Sequence, residues 1–358
     1  MKILFIIPYP LQESPSQRFR FEQYFEVLKN RGHQLRVHSF LSSDDWLLFY
    51  SAGHSAQKSW ALIKGFLKRG LSLITAYSND LIFIHREAAP MGPPIFEWII
   101  ARLLRKKIIY DFDDAIWLTD RVNESGILKI LKWRNKVQSI CRWSYKVSCG
   151  NQYLTRYALQ FNGRVVTNPT TIDCTNQHNP ALFEPRRITD QIVIGWTGSH
   201  STLKYLQLIE PVLQKLENQF TQVSFLVIAD QVPSLNLNRL SFIKWNPETE
   251  IQDLLKMDIG IMPLPDDEWA KGKCGFKALQ YMSLEIPVVM SPVGVNSTLI
   301  RHGVEGFLCQ SDDEWLFALG KLITDKNLRR EQGKQGRKKV IEDYSVSSNT
   351  STFLSLFE

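Results

Sequence analysis

The chain has 358 residues, of which 44% are hydrophobic and 22% charged, and a formal net charge of +7, which is typical of a globular protein with two ordinary domains. No apolar run approaches the roughly 18 residues of a membrane-spanning helix, and the start of the chain lacks a signal-peptide cleavage site. The five cysteines are odd in number and scattered, which favours reduced thiols in the cytoplasm over disulfides or structural zinc.

Short runs rich in β-branched and aromatic residues alternate with helical patterns along the chain, which is typical of parallel α/β sheets. Helices are predicted between them, for example at Gln17 to Asn30 and Pro93 to Arg105, and around Val346 to Phe357 at the end. The predicted strands are Ile3 to Pro8, Gln34 to Phe40, Leu81 to Arg86, Lys107 to Phe112, Lys146 to Gly150, Arg164 to Thr167, Ile192 to Thr197, Ser224 to Ala229, Ser241 to Trp245, Ile259 to Pro263, Val288 to Ser291 and Gly306 to Cys309.

These elements predict two consecutive, doubly wound, Rossmann-like domains that face a cleft. The first domain is expected at residues 1–168 and the second at 190–340, joined by a linker at 169–189 that is richer in Asn, Pro and Thr. Residues 341–358 are predicted to form a C-terminal helix that crosses back to the first domain. Ligands of such sheets bind at the carboxyl ends of the strands, so the cleft is the expected site. No G-x-G-x-x-G or Walker-type loop supports a dinucleotide or P-loop enzyme.

Basic residues are concentrated in the first part of the chain. Residues 1–150 hold 22 lysines and arginines against 13 aspartates and glutamates, with clusters at 102–107 and 129–136 near aromatic residues. Such a face suits an anionic membrane surface or a phosphate-bearing lipid, and a merely solvated face is an equally open interpretation. No recognition motif indicates nucleic acid as a partner.

The segment Lys273 to Gly294 carries the strongest functional signal. It predicts a short helix that begins next to Gly275 and carries Lys277 and Gln280 one turn apart, followed by a buried strand and a second glycine turn. Free N–H groups at the helix start and the lysine charge suit a diphosphate, and the glutamine amide can bond hydroxyls. Together these groups suit a nucleotide-sugar.

Several motifs resemble the retaining family 4, or group 1, glycosyltransferases, which have the two-Rossmann-domain GT-B fold. In the second half the resemblance rests on Lys273 to Gly294, Ile194-Gly-Trp-Thr-Gly-Ser-His200, Asp258-Ile-Gly-Ile-Met-Pro-Leu264 and His302-Gly-Val-Glu-Gly-Phe-Leu308. A looser match in the first half rests on Ser16-Gln-Arg-Phe-Arg20, His85-Arg-Glu87 and Tyr110-Asp-Phe-Asp-Asp-Ala-Ile-Trp117. The resemblance implies transfer of a sugar from a UDP- or GDP-linked donor to an acceptor hydroxyl, with retention and without a metal or other cofactor.

The resemblance also implies roles for residues of the second domain. Lys204 and Lys277 would hold the donor diphosphate and take up the charge that develops as the glycosidic bond breaks. The family's paired glutamates align with Gly272 and Gln280, so contact with the donor sugar passes to Asp266, Asp267 or Glu268. The other donor-binding residues implied are Gly198, Ser199, Gly275, Phe276, Val293 and Gly294. Surface lysines and a polar loop are the alternative interpretations.

In the first domain, alternation along the strand places Asp111 and Asp113 on one face and Asp114 on the other. The preferred interpretation is that Asp113 or Asp114 binds or deprotonates the acceptor hydroxyl; a D-x-D metal site and a helix cap remain open. His85 is a further catalytic candidate, with a structural histidine as the alternative. Three arginines are candidates for contact with the acceptor or a phosphate: Arg18, Arg20 and Arg86.

The resemblance and these residues together imply a metal-independent glycosyltransferase, of cell-surface polysaccharide or glycolipid synthesis. It would be cytoplasmic, with peripheral association at the inner face of the membrane, and its acceptor would be a carbohydrate or a lipid-linked sugar. Two alternatives remain: a sugar-nucleotide epimerase of the same fold, and a non-catalytic nucleotide-sugar-binding subunit, which the neutral residues Gly272 and Gln280 would suit.

Overall fold

The computed structural model describes residues 1–51, 53–119, 126, 131–184 and 190–358, with the side chain of Tyr50 left out. Residues 129 and 130 of one predicted basic cluster and residues 185–189 of the predicted linker lie outside this part of the chain. The chain divides into two compact units, one comprising residues 1–170 and 349–358 and the other residues 171–348. Each is an α/β unit built on a parallel sheet, and the predicted fold class is confirmed.

The sheet of the first unit has six strands in the order β2-β1-β3-β4-β5-β6, all parallel. The chain moves outward from β1 to β2 and then resumes on the other side at β3, so the strand order reverses between β1 and β3. Side chains that follow these strands are therefore in position to bind a ligand. The strands are β1 (Lys2–Ile7), β2 (Gln34–Ser39), β3 (Leu81–His85), β4 (Lys107–Phe112), β5 (Lys146–Cys149) and β6 (Val165–Thr167).

The helices of the first unit cover this sheet. They are α1 (Pro15–Arg18), α2 (Phe25–Asn30), α3 (Ser43–Tyr50), α4 (Ser55–Tyr77), α5 (Ile95–Trp98), α6 (Lys136–Trp143) and α7 (Gln152–Leu159), with a 3₁₀ turn at Glu22–Tyr24 and a π-helical turn at Ile99–Leu103. The sequence predicted one helix from Gln17 to Asn30, and the structure breaks it. Phe19, Arg20 and Phe21 are all buried, and three successive residues cannot all face the core from a regular helix.

The second unit repeats the architecture with the strand order β12-β11-β10-β7-β8-β9, again parallel throughout. Here the order reverses between β7 and β10. The strands are β7 (Ile192–Thr197), β8 (Val223–Ala229), β9 (Leu240–Lys244), β10 (Ile259–Met262), β11 (Val288–Met290) and β12 (Gly306–Leu308). The predicted strands of both units are confirmed to within one residue at each end.

Helices of the second unit begin at polar caps where the sequence supplies them. Ser311 and Glu314 form a capping box, and Asp325 caps the helix that follows. The helices are α8 (His200–Leu203), α9 (Glu210–Gln219), α10 (Glu250–Leu254), α11 (Glu268–Lys271), α12 (Phe276–Ser283), α13 (Asn296–Leu299), α14 (Asp312–Thr324) and α15 (Lys326–Asp343), with 3₁₀ turns at Pro180–Leu182 and Lys204–Leu208.

The segment after the first unit packs on α15. Ile172 donates its N–H to the carbonyl of Tyr344 at 2.9 Å, and Arg337 donates to the carbonyl of His178 at 2.9 Å. Residues 171–184 thus belong to the second unit, although the sequence predicted a linker over 169–189.

The last helix, α16 (Val346–Leu354), continues into a 3₁₀ turn at Ser355–Phe357. From residue 349 onward the chain belongs to the first unit, eight residues later than the predicted boundary at 341. Phe353 stacks on Tyr24 with ring centroids 4.2 Å apart, and Phe357 lies 6.3 Å from Phe83 of β3. These aromatic contacts hold the C-terminus against the core of the first unit.

Candidate functional site

Strand β7 ends in the Gly198 turn, next to β10, where the strand order of the second sheet reverses. A Cβ built on Gly198 would lie 2.4 Å from the ring of Trp196 and 2.8 Å from Cε of Lys277. Only glycine leaves room for the lysine stem at this distance. Lys277 therefore reaches from α12 to the end of β7, and its Nζ lies 5.3 Å from the ring centroid of Trp196. The structure brings two predicted site residues together here.

The helix that carries Lys277 begins at Gly275, as the sequence predicted. Gly275 is the N-cap of α12 and has a φ of 70°, a left-handed conformation that glycine adopts without strain. The first N–H groups of the helix therefore follow directly from this turn, and Phe276 is the first helical residue. A Cβ on Gly275 would lie 3.4 Å from Cγ1 of Val295, so the turn is in contact with the loop after β11.

That second loop contains Val293 and Gly294. Gly294 has a φ of 58°, and a Cβ there would lie 2.8 Å from the carbonyl oxygen of Lys271. The loop therefore packs directly on the backbone that leads into Gly275. Val293 is buried and contributes no side chain to the surface. These two glycine turns lie together at the start of α12, which is the arrangement expected of an anion-binding turn.

Gln280 does not occupy the position that the sequence predicted. It is 1% exposed, and its Nε2 donates to Oε1 of Glu250 at 3.1 Å. The same oxygen accepts from Nε1 of Trp245 at 3.3 Å. The expectation that this amide bonds the hydroxyls of a ligand is therefore corrected, because its N–H donates to a buried carboxylate from α10. Sequence reasoning missed Glu250, and no motif around it signals the contact.

The acidic loop before α11 has local roles. Asp267 caps α11 by accepting from the N–H of Ala270 at 2.7 Å. Glu268 pairs with Lys271 at 2.8 Å, and Asp266 lies 3.6 Å from the same ammonium. The three carboxylates are exposed, and their local contacts account for their presence without a donor sugar.

Ser199 and Lys204 belong to the segment after β7. The hydroxyls of Ser199 and Ser201 are 2.9 Å apart, and Asp230 at the end of β8 lies 2.5 Å from both the N–H and Nδ1 of His200. These hydrogen bonds hold the turn after β7 against the C-terminal end of β8. Lys204 is exposed at the start of a 3₁₀ turn, with Nζ 5.5 Å from the ring centroid of Tyr205.

In the first unit, neighbouring strands place His85 beside Asp111 in the sheet register. Nδ1 of His85 lies 2.8 Å from Oδ2 of Asp111, and Ser148 donates its hydroxyl to Oδ1 at 2.6 Å. Burial alone raises the pKa of the Asp111 carboxyl. The charge of Arg20 and the hydrogen bond to His85 outweigh burial and hold this pKa well below its usual range.

Arg20 is not a ligand contact, which corrects the sequence prediction. Its side chain is fully buried and forms an ion pair with Asp111. It also donates to the carbonyl of Asn168 and, at 3.2 Å, to Ser148. Asp111 is buried in an ion pair with Arg20, so its carboxylate is not available as the first metal ligand that a D-x-D site would need. No cluster of three or more His, Cys, Asp or Glu side chains suited to a metal ion occurs in the described residues.

His85 is also fully buried, so it reaches the surface only through Ser16. Nε2 of His85 lies 2.8 Å from Oγ of Ser16, and the same hydroxyl lies 3.0 Å from Oδ1 of Asp113. The Ser16 hydroxyl has one proton, which it donates to Asp113, and its oxygen lies against the His85 ring nitrogen. Sequence reasoning included Ser16 in a motif but assigned it no role. Asp113 is half-buried and, with Ser16, forms the outer end of this chain.

Arg86 and Asp114 form a half-buried ion pair at 2.6 Å beside this network. Arg86 has a φ of 61°, which is rare for a bulky residue, and its N–H donates to the carbonyl of Asp111 at 2.7 Å. Its carbonyl accepts from the hydroxyl of Tyr110 at 2.7 Å, so hydrogen bonds on both sides hold the left-handed turn. Arg18 is half-buried, with its guanidinium 5.0 Å from the ring centroid of Phe19.

Comparison with known proteins shows what the second part of the chain is similar to. Residues 182–339 match the family described as "Glycosyl transferases group 1". No curated protein sequence matches the chain. Within the described residues, no helix is both long and apolar enough to cross a membrane.

Solved structures share the fold over nearly the whole chain. Anabaena HepE, solved in complex with UDP and glucose, is 16% identical, with a TM-score of 0.65 over 100% of this chain and 99% of that chain. Sucrose-phosphate synthase from Thermosynechococcus elongatus is 13% identical, with a TM-score of 0.67 over 99% and 98%. A glycosyltransferase from Rickettsia africae is 13% identical, with a TM-score of 0.68 over 100% and 98%. At these identities the likeness is one of fold.

Proposed function

We propose that the chain transfers a sugar from a nucleotide-sugar to an acceptor hydroxyl, because residues 182–339 match the group 1 glycosyltransferase family. The observation that carries the proposal is the meeting of Lys277, the Gly198 turn and the helix start at Gly275 on the edge of the second sheet. A full positive charge beside the positive end of a helix dipole suits a diphosphate. The complex of HepE with UDP and glucose supports this class of donor.

We assign the leaving-group charge to Lys277. As the glycosidic bond breaks, negative charge grows on the diphosphate, and a fixed ammonium stabilises that charge more than it stabilises the intact donor. Trp196 contacts the lysine stem and restricts where the ammonium lies. Lys204, exposed six residues after Gly198, is proposed to supply a second, more mobile charge. This electrostatic arrangement supports a metal-independent reaction.

The acceptor is assigned to the first unit, at Ser16 and Asp113. Their polar atoms form the outer end of a chain that runs through His85 to the buried Asp111. An acceptor sugar with a second hydroxyl that donates to Asp113 would be oriented for attack, and its attacking hydroxyl keeps its own proton for the leaving phosphate. We propose retention of the anomeric configuration, with the acceptor attacking from the side of the leaving phosphate, which takes the hydroxyl proton. No protein nucleophile is then required.

The proposed setting is synthesis of a cell-surface polysaccharide or glycolipid, at the cytoplasmic face of a membrane. The excess of basic residues in the first 150 residues supports an acceptor or a surface that carries negative charge. The acceptor class is proposed to be a carbohydrate or a lipid-linked sugar.

The test begins with thermal unfolding in the presence of UDP-sugars and GDP-sugars, because a ligand that binds the folded state raises the melting temperature. The donor that stabilises the chain is then incubated with it, and free nucleotide and altered sugars are measured. We expect Lys277→Ala to weaken donor binding and to lower kcat/KM by about 100-fold to 1000-fold. Lys215→Ala, at an exposed lysine of α9, is the matched control and should behave as the wild type.

The outcomes distinguish the three interpretations of the fold. Release of free nucleotide with transfer to an acceptor supports the proposal. A changed sugar on an intact nucleotide indicates an epimerase, and stabilisation without any turnover indicates a binding subunit. Normal sugar transfer by Lys277→Ala would contradict the assignment of the diphosphate site.

A further inference from the structure

Helix α4 presents an apolar face to solvent. It is the longest helix in the described residues, and the exposed positions in its second and later turns repeat at intervals of three and four. The large apolar side chains on this face are Trp60 (58% exposed), Ile63 (49%), Leu67 (63%), Leu71 (64%), Ile74 (72%) and Tyr77 (72%). We call this set the α4 stripe. At 1.5 Å per residue it is about 25 Å long.

The stripe faces outward because the opposite side of α4 is fixed to the first sheet. Arg69 is buried and donates to the carbonyls of Ala88 at 2.5 Å and His38 at 2.8 Å. Ser72 lies 2.9 Å from Nδ1 of His38. A Cβ on Gly65 would lie 2.3 Å from the ring of Phe40, so the helix sits directly on that ring. These contacts set the rotation of α4, and the helix cannot turn its apolar face inward without breaking them.

Positive charge borders the stripe. Residues 55–77 contain no aspartate or glutamate. Lys68 is half-buried and follows the exposed Leu67 of the stripe. Nζ of Lys106 lies 5.6 Å from the ring centroid of Tyr77, which places the basic segment 102–107 at the C-terminal end of the stripe. Lys64 is paired with Asp45 at 2.6 Å and adds little net charge. An amphipathic helix with aromatic and aliphatic residues on one side and cations beside them is typical of an interfacial membrane helix.

The neighbouring turn extends the apolar area. The segment Ile95–Leu103 packs against α4 and exposes Trp98 (43%) and Leu103 (61%). This number of exposed apolar side chains on two packed segments is uncommon on a protein that remains monomeric and free in water. Tryptophan and tyrosine are side chains that favour the level of lipid headgroups.

We propose that the α4 stripe docks the first unit on the surface of an anionic lipid bilayer, with α4 lying in the plane of the interface. The helix would lie in the interface and not span the bilayer, because residues 55–77 contain four basic side chains. A bilayer fits better than a second copy of the chain, because two copies would bring basic borders of like sign together, whereas anionic headgroups neutralise them. The inference deepens the proposed membrane location, and the docking surface is separate from the residues assigned to sugar transfer.

The experiment measures co-sedimentation of the full chain with vesicles. One set contains phosphatidylcholine alone, and the other contains equal parts of phosphatidylcholine and phosphatidylglycerol. We expect wild type to bind the mixed vesicles, and the double variant Leu67→Gln, Leu71→Gln to partition at least about tenfold less. Leu159→Gln, at a leucine 52% exposed on α7, is the matched control and should bind as the wild type. Lys68→Gln and Lys106→Gln should each lower binding by about fivefold on mixed vesicles only.

Two further measurements make the result decisive. Circular dichroism and the shift in melting temperature with a nucleotide-sugar show whether each variant is folded and binds donor, so failure of docking is distinguishable from failure of the proposed function. Sedimentation velocity reports the oligomeric state. Absence of vesicle binding by wild type overturns the proposal. So does a dimer that the double variant dissociates, because the stripe would then be an interface between copies of the chain.

Discussion

Replacement of Gly198 by alanine tests the functional site directly. The new methyl carbon would lie 2.4 and 2.6 Å from two ring carbons of Trp196 and 2.8 Å from Cε of Lys277. Carbon atoms pack at about 3.5 to 4.0 Å, so the overlap is about 1 Å on both sides. Trp196 is 1% exposed and belongs to the core of the second unit, so the lysine stem is the group that can move.

The structure separates the two effects of this change. Strain against the Trp196 ring costs about 1 to 3 kcal/mol of unfolding free energy, as expected for an overpacked core. Displacement of Lys277 by about 1 Å lowers turnover by about 100-fold, because the ammonium no longer lies where charge develops. Gly198→Ala should therefore lose far more activity than its stability loss explains.

The assay combines urea unfolding with donor dissociation constants and kcat/KM at a temperature where the variant is folded. Gly163→Ala is the matched control, because a Cβ at Gly163 has no atom within 4 Å and its φ is outside the left-handed region. Wild-type turnover in a folded Gly198→Ala variant would refute the reasoning. Equal losses of kcat/KM in Gly198→Ala and Gly163→Ala would also refute the reasoning.

Two other changes test the buried carboxylates. Asp111→Asn should cost about 3 to 5 kcal/mol of unfolding free energy at neutral pH, because Arg20 is left buried without its counter-ion. The folded-state pKa of Asp111 is depressed, so the contribution of its carboxylate to stability is present above the unfolded pKa of about 4 and is lost as pH falls toward the folded pKa. Urea unfolding at several pH values should therefore show the difference in unfolding free energy between wild type and variant disappear in acid. A difference independent of pH would contradict the assignment. Gln280→Glu should lower the unfolding free energy by about 1.5 to 3 kcal/mol, because the amide donor to Glu250 is lost and two carboxylates face each other. An unchanged unfolding free energy at neutral pH would show that this hydrogen bond does not stabilise the domain.

Much of the fold could be predicted because its signals are local. A strand such as Lys107–Phe112 is a run of buried residues with polar residues at its ends, and this pattern lies within a few positions of the chain. The start of α12 at Gly275 was predictable for the same reason, since a helix cap is a property of adjacent residues. The prediction of one continuous helix over residues 17–30 was wrong, because Phe19, Arg20 and Phe21 are all buried in the core.

The candidate site could be predicted only in part. Lys277 and Gly198 were identified from motifs, and the structure brings them together. Arg20 and Gln280 were identified in the same way, yet each is buried against a carboxylate. A motif specifies the type of side chain at a position, and burial depends on which side chain from another element lies opposite. Asp111 lies 91 positions from Arg20, the residue that it neutralises, and Glu250 lies 30 positions from Gln280, the residue that it bonds.

The sequence by itself determined the order of elements, the two parallel sheets and the glycine turn that begins the lysine-bearing helix, because hydrophobic spacing and turn residues act over short distances. Only the tertiary structure decided which polar groups are exposed at the ends of the strands and which are buried in the core. It also decided that the apolar side of α4 faces water, since Arg69, Ser72 and Gly65 bind the other side to the sheet. Those contacts join residues far apart in the chain, and their energies depend on burial that no local pattern records.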